Sequence, residues 1–178
     1  MKIKIGLKEV VAIGIGTALF VALTEIQIPL GVVDDIAFHP RMAVLAFFSA
    51  VFGPITGAVI GFLGHALGDA LFYNSIKWCW VFPEIIVGAG IGFFADRFAV
   101  EKGGFDKKNL ALFNVAQIVS NAAAWLICAP VLNIVFKKES SGLVFSQGAF
   151  AFIVDIIVIG VLGSIFLMVY SNINGKSS

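Results

Sequence analysis

The chain has 178 residues, of which 60% are apolar and only 13% charged, and its mean hydropathy is +1.01. A soluble domain carries about a quarter charged residues, so this composition excludes a disordered segment and an ordinary cytosolic enzyme and leaves the bilayer as the natural solvent. A formal net charge of +1 provides no basic surface of the kind that grips nucleic acid.

A helix that spans a bilayer needs about 20 mostly apolar residues. In chain order, apolar stretches predict spans over 8–28, 41–52, 55–73, 80–98, 109–133 and 147–170. The expectation is an all-α integral membrane protein, a single six-helix bundle filling residues 1–178. The second stretch reaches only about 18 Å at 1.5 Å per residue. Gly53-Pro54 after it reads as a tight reversal, with proline in the first turn of the next helix. Cys79 and Cys128 stand alone in apolar surroundings, so neither a metal spacing nor a disulfide framework follows.

Lysine and arginine set the orientation. With a cytoplasmic N-terminus, that side holds Lys2, Lys4, Lys8, Arg97, Lys102, Lys107, Lys108 and Lys176, and the other holds Arg41, Lys77, Lys137 and Lys138. Eight against four predicts both termini in the cytoplasm. No small-x-small cleavage site closely follows the first apolar run, so the first helix is expected to remain uncleaved. The longer loops, 29–40 (PLGVVDDIAFHP), 74–79 (NSIKWC) and 134–146 (IVFKKESSGLVFS), then lie outside. Long loops in a compact membrane protein usually cover something.

A charge near the bilayer centre costs about 2.5–3.5 kcal/mol on insertion scales, which makes each one a functional candidate. Glu25, Asp69, Glu84 and Asp155 are such residues. His65 stands four residues before Asp69, on one helical face with it. The pair reads either as a polar wall of a ligand cavity or as a lock between helices. Trp78 and Trp80 flank Cys79, with Tyr73, Lys77 and Glu84 nearby. They read either as an interfacial aromatic belt or as a flat wall for a conjugated ring. Asn114, Gln117, Asn121 and Trp125 recur at helical spacing, continued by Asn133, and their outer members are expected to reach the cavity. The bland alternative is interhelical bridging. In the first helix, Ala12, Gly14, Gly16, Ala18 and Ala22 are small, which suits internal packing or a docking face for a partner helix.

Other motifs fail. Gly175-Lys176-Ser177 resembles the end of a phosphate loop, but Tyr170 replaces its first glycine, so the chain is not expected to bind ATP itself. No GxSxG motif supports an intramembrane protease. The competing reading from a different class is a small membrane enzyme using His65 and Asp69 as an acid–base pair.

Several segments together resemble one family: KEVVAIGIGTALF in the first helix, FGPITG, GHALGD, Trp78-Cys-Trp80, Asn121-Ala-Ala-Ala-Trp125 and Ala129-Pro130. The chain resembles an S component of an energy-coupling factor (ECF) transporter, in the riboflavin-type subgroup that also includes a cobalamin-specific member. The resemblance implies a six-helix subunit without catalytic activity or cofactor. Such a subunit captures a vitamin under its outer loops and topples in the membrane against a transmembrane T component, driven by two ATPase subunits. It places docking on Ala18 and Ala22, extended by Ala12, Gly14 and Gly16. Substrate binding is expected at Asp34, His39, Arg41, His65, Asp69, Tyr73, Lys77, Trp78, Trp80, Glu84, Asn121, Trp125, Asn133 and Asp155. Subgroup resemblance favours cobalamin over riboflavin as the ligand, with the histidines hydrogen bonding rather than ligating cobalt.

Overall fold

The computed structural model of the protein describes residues 5–29, 31 and 37–175. Helix α1 (Leu7–Ala22) leads to a two-stranded antiparallel hairpin, β1 (Ile28–Pro29) and β2 (Ala37–Phe38), with Ile28 opposite Phe38. Helix α2 (Arg41–Phe52) ends at Gly53, whose φ of 98° lies where glycine alone is unstrained, and Pro54 opens α3 (Pro54–Gly68). A π-helical turn, Asp69–Tyr73, extends α3. Helix α4 (Trp78–Gly92) is followed by the short α5 (Ala95–Phe98) and a 3-10 turn. Helix α6 (Lys107–Asn121) is capped by the Asp106 side chain, which accepts from the Asn109 N–H. It runs on through a π segment (Ala122–Cys128), α7 (Ala129–Leu132) and a second π segment (Asn133–Lys137). Helix α8 (Ser141–Val158) continues through the π segment Ile159–Gly163 into α9 (Ser164–Gly175).

Helices occupy all six stretches that the apolar runs mark. Among the described residues, length and apolarity suffice for crossing a membrane in three, Pro54–Tyr73, Lys107–Lys137 and Ser141–Gly175; a fourth is gained if Trp78–Gly92 and Ala95–Lys102, bent by 47°, count as one. The last two are longer than the apolar runs alone predict, because polar residues continue the helix past the hydrocarbon-like core. The molecule is an all-α membrane protein apart from its small hairpin.

Helices α3 and α4 make the most extensive contact in the described chain. Small residues allow it: a Cβ on Gly88 would stand 2.3 Å from the Gly57 carbonyl oxygen, and one on Gly61 would stand 2.6 Å from the Glu84 carbonyl oxygen. Helix α3 uses Gly64 and Gly68 to admit Phe20 of α1 and Thr24 just after it. The glycine series along α3 therefore serves two helix interfaces at once. Phe20, Leu45, Ile60, Ile91, Phe98 and Phe113 lie fully buried between these elements.

Candidate functional site

Burial of charge marks the site. Arg41, His65, Asp69, Glu84 and Asp155 are all buried, each on a membrane-embedded element or at its end. Four of them form one chain of contacts. Glu84 Oε1 lies 2.8 Å from His65 Nδ1 and 3.7 Å from Arg41 Nη2. His65 Nε2 lies 3.4 Å from Asp69 Oδ1, and Asp69 Oδ2 accepts from the Lys77 backbone N–H at 2.8 Å. The i, i+4 pair read from the sequence is real, and both members are also held by α4 and the loop before it. Arg41 donates to Thr24 Oγ1 at 3.4 Å and lies 5.0 Å over the Phe20 ring. One network thus ties the end of α1 to α2, α3 and α4.

Above the network lies a cavity of about 430 Å³. Of the residues expected to bind substrate, His39, Arg41, His65, Asp69, Tyr73, Lys77, Trp80, Glu84, Trp125 and Asp155 line it. Trp80 and Trp125 face each other with centroids 5.5 Å apart and planes at 51°. His39 lies at the start of α2, outside the apolar spans. Burial pushes its pKa down to about 3, and the charges of Arg41 and His65 add to the shift, so its imidazole is neutral. Its Nδ1 is buried and has no hydrogen-bond partner among the described residues. The same is true of Arg41 Nε, Glu84 Oε2 and Trp125 Nε1. Buried polar atoms clustered on one cavity, without partners among the described residues, are groups that a polar guest can pair with.

Three expected site residues stand elsewhere. Trp78 is on the outer face, 46% exposed and stacked with Phe62 at 6.1 Å, which makes it part of an aromatic patch rather than a cavity wall. Asn121 is buried but donates to the Gln117 backbone and side-chain oxygens. Gln117 in turn reaches the Ile156 carbonyl oxygen, and Asn114 reaches Ser164 Oγ, so the amide stripe bridges α6 to α8 and α9. Asn133 bonds back to the Ala129 carbonyl oxygen and does not line the cavity. Asp34 lies outside the described residues. The sequence reading also missed Gln27, Pro29, Gly31, Ala37, Met42 and Ala151, all of which line the cavity. Ala151 sits one turn before Asp155 and was reachable from that spacing; the hairpin residues carry no periodic signal.

The small residues of α1 divide. Ala12 and Gly16 turn inward, and a Cβ on Gly16 would stand 2.5 Å from Ile60 Cδ1, so neither is available to a partner. Gly14, Ala18 and Ala22 are exposed, in a row with Val11, Ile15 and Leu19.

Comparison with known proteins decides the family. The family model described as ECF-type riboflavin transporter, S component, matches residues 4–172. The chain belongs to this family. It is similar to a UPF0397 protein of Exiguobacterium sp., 42% identical over 171 residues that make up 96% of this chain and 93% of that protein. UPF0397 proteins of Lacticaseibacillus casei (41% over 177 residues, 97% of this chain and 93% of that protein) and Streptococcus agalactiae (40% over 168 residues, 93% and 91%) are similarly related. No solved structure matches. As an ECF S component the chain is a multi-pass protein of the cell membrane and the substrate-binding part of a transporter rather than an enzyme. In this family, partnership with T and ATPase components is implied.

Proposed function

We propose that this S component captures a B-group vitamin of riboflavin size in the cavity between the hairpin, α3, α4 and α8, at the extracellular side. The observation that carries the reading is the cavity itself: about 430 Å³, with two facing indoles and four buried polar atoms left without partners. Sites for drug-sized ligands occupy about 300–1,000 Å³ and combine apolar walls with a few placed polar groups. An isoalloxazine with its ribityl chain suits that volume, and the family's own description points the same way. A corrinoid is several times larger.

Cobalamin is the second reading, and His39 favours it. A neutral imidazole with an unpartnered Nδ1 can ligate a corrin cobalt or accept an amide N–H. The hairpin β1–β2 then has to lift to admit the larger guest. In both readings we take the six helical stretches as one six-span domain and place its termini in the cytoplasm, the latter because Lys8, Arg97, Lys102, Lys107 and Lys108 lie at the helix ends away from the cavity-lining residues. Gly14, Ala18 and Ala22 supply the docking face for the T component, two ATPase subunits drive uptake, and toppling carries the ligand inward.

The test is the absorption spectrum of the purified chain, followed by titration with riboflavin and cobalamin. A yellow flavin spectrum, or saturable riboflavin binding at one ligand per chain, is expected. A red corrin spectrum supports the second reading, and no binding of either vitamin overturns both.

A further inference from the structure

Away from the vitamin cavity, a groove of about 320 Å³ runs between α4 and α6, a volume within the range of small-molecule sites. Its floor is made of small residues. Gly90 sits so close to α6 that a Cβ there would stand 2.2 Å from Ser120 Oγ, and Ala116 and Ala123 add little bulk. Ser120 spends its hydroxyl on the Ala116 carbonyl oxygen at 2.7 Å, which leaves the groove apolar. Phe93, Val115 and Val119 form exposed rims.

The groove ends on cations. Phe94 closes it just past α4, edge-on to Phe93 with centroids 5.3 Å apart, and the Arg97 guanidinium lies 5.5 Å over the Phe94 ring. On α6, Lys108 stands four residues before Leu112 and seven before Val115, on the helical face that lines the groove. Of the acids nearby, Glu101 pairs with Lys8, and Asp106 is occupied as the cap of α6. Asp96 stands one position before Arg97, about 100° round α5 from it. An apolar slot with positive charge at one end has the polarity of a phospholipid: hydrocarbon along the slot, an anionic headgroup at the cations. A free anion would use only the end, and an apolar peptide helix only the slot.

We infer that the α4–α6 groove seats an acyl chain of an anionic phospholipid, with Arg97 and Lys108 on its headgroup. Arg97 offers the phosphate a planar fork of N–H donors, and Lys108 adds a second positive charge. A choline headgroup brings its own cation to that place and fits less well. The inference is independent of which vitamin enters the cavity, since Trp80 and Trp125 lie at the opposite end of the same two helical runs.

Native mass spectrometry of the full chain in detergent, with equal amounts of dioleoyl phosphatidylglycerol and dioleoyl phosphatidylcholine, compares the two adducts. Wild type should carry about tenfold more phosphatidylglycerol. In Arg97→Gln/Lys108→Gln that preference should fall towards one. Lys137→Gln/Lys138→Gln, at the far end of the α6 helical run, removes the same charge and should keep it. Val119→Trp adds bulk to the rim and should reduce both adducts, while co-purification with the T component persists. All five side chains are exposed, so these variants leave the core intact. Equal adducts on wild type, a preference that survives in the Arg97/Lys108 variant, or one lost equally in the Lys137/Lys138 variant overturns the inference. So do unchanged adducts in Val119→Trp, which put the lipid elsewhere, and loss of the T component from that variant, which assigns the groove to a protein partner.

Discussion

Replacing Glu84 with glutamine keeps the shape of the side chain and removes one charge from the centre of the buried network. Its carboxylate is 1% exposed and contacts both His65 at 2.8 Å and Arg41 at 3.7 Å. The residue cannot slide away to relieve the change, because Gly61 packs directly on its carbonyl oxygen. After substitution, the direct contacts left to Arg41 among the described residues are Thr24 Oγ1 and the face of Phe20, neither of which carries a charge, and Asp69 and Asp155 act on it only from further away. Breaking one half of a buried ion pair costs about 3–5 kcal/mol, because the surviving charge stays desolvated. At about 1.4 kcal/mol per factor of ten, the folded-to-unfolded ratio should drop by roughly two to four orders of magnitude. Equilibrium unfolding by SDS titration in mixed micelles, followed by tryptophan fluorescence, measures this. The double variant Arg41→Met/Glu84→Met removes both charges and should recover a large part of the loss. A single-variant loss below about 1 kcal/mol, or a double variant as unstable as the sum of the two singles, would refute the network as a coupled unit.

Gly88→Ala places a methyl 2.3 Å from the Gly57 carbonyl oxygen, a backbone atom that cannot rotate aside; unfolding titration should show a loss of about 1–3 kcal/mol. Gly14→Ala meets nothing within 4 Å and should be neutral or stabilising by up to about 1 kcal/mol in the same assay. Ala18→Trp should leave vitamin binding to the isolated chain intact and abolish co-purification with the T component, whereas Gly16→Trp, which collides with Ile60, should unfold the chain. His39 is held near 3 in the fold against 6.5 for a free imidazole, so between those values the unfolded chain binds a proton that the folded chain does not. Stability therefore falls as pH drops from 6.5 towards 3, and His39→Gln should flatten that part of the curve when unfolding midpoints are compared across pH.

Residues whose placement follows from charge or helical spacing were legible in the sequence. Asp69, Glu84 and Asp155 stood out because ionisable groups in apolar runs need partners, and they line one cavity. His65 followed from its i, i+4 relation to Asp69. The misplacements come from three physical sources. Trp78 and Trp80 lie two positions apart, which at about 100° per residue sets them about 200° apart around the helix, so only Trp80 faces inward. The stripe from Asn114 to Trp125 was extrapolated at a regular helical period, yet the backbone becomes π-helical from Ala122, which changes the angular step per residue. Trp125 turns to the cavity, while Asn121, the last regular position, stays in the amide ladder. On α1, small residues at Ala12 and Gly16 look like Ala18 and Ala22 in sequence; the packing of Ile60 and Phe48 against Gly16 tells them apart. The hairpin was not legible at all, since two-residue strands contain too little alternation to register.

The placement of the cavity follows from how the two halves of the molecule are held. Helices α1 to α4 are joined by the buried ionic network and by glycine-mediated backbone contacts, while α6, α8 and α9 are joined by amide bonds from Asn114 and Gln117. Both sets of bonds lie within their own half. The cavity opens along the seam, with Arg41, His65, Asp69, Trp80 and Glu84 on one side and Trp125, Ala151 and Asp155 on the other. On the second side, the backbone between the helical segments is π-helical, a geometry that appears where side chains are aimed rather than where packing is regular. A guest that pairs with groups on both sides would join two internally braced units and supply partners to seam atoms that have none among the described residues.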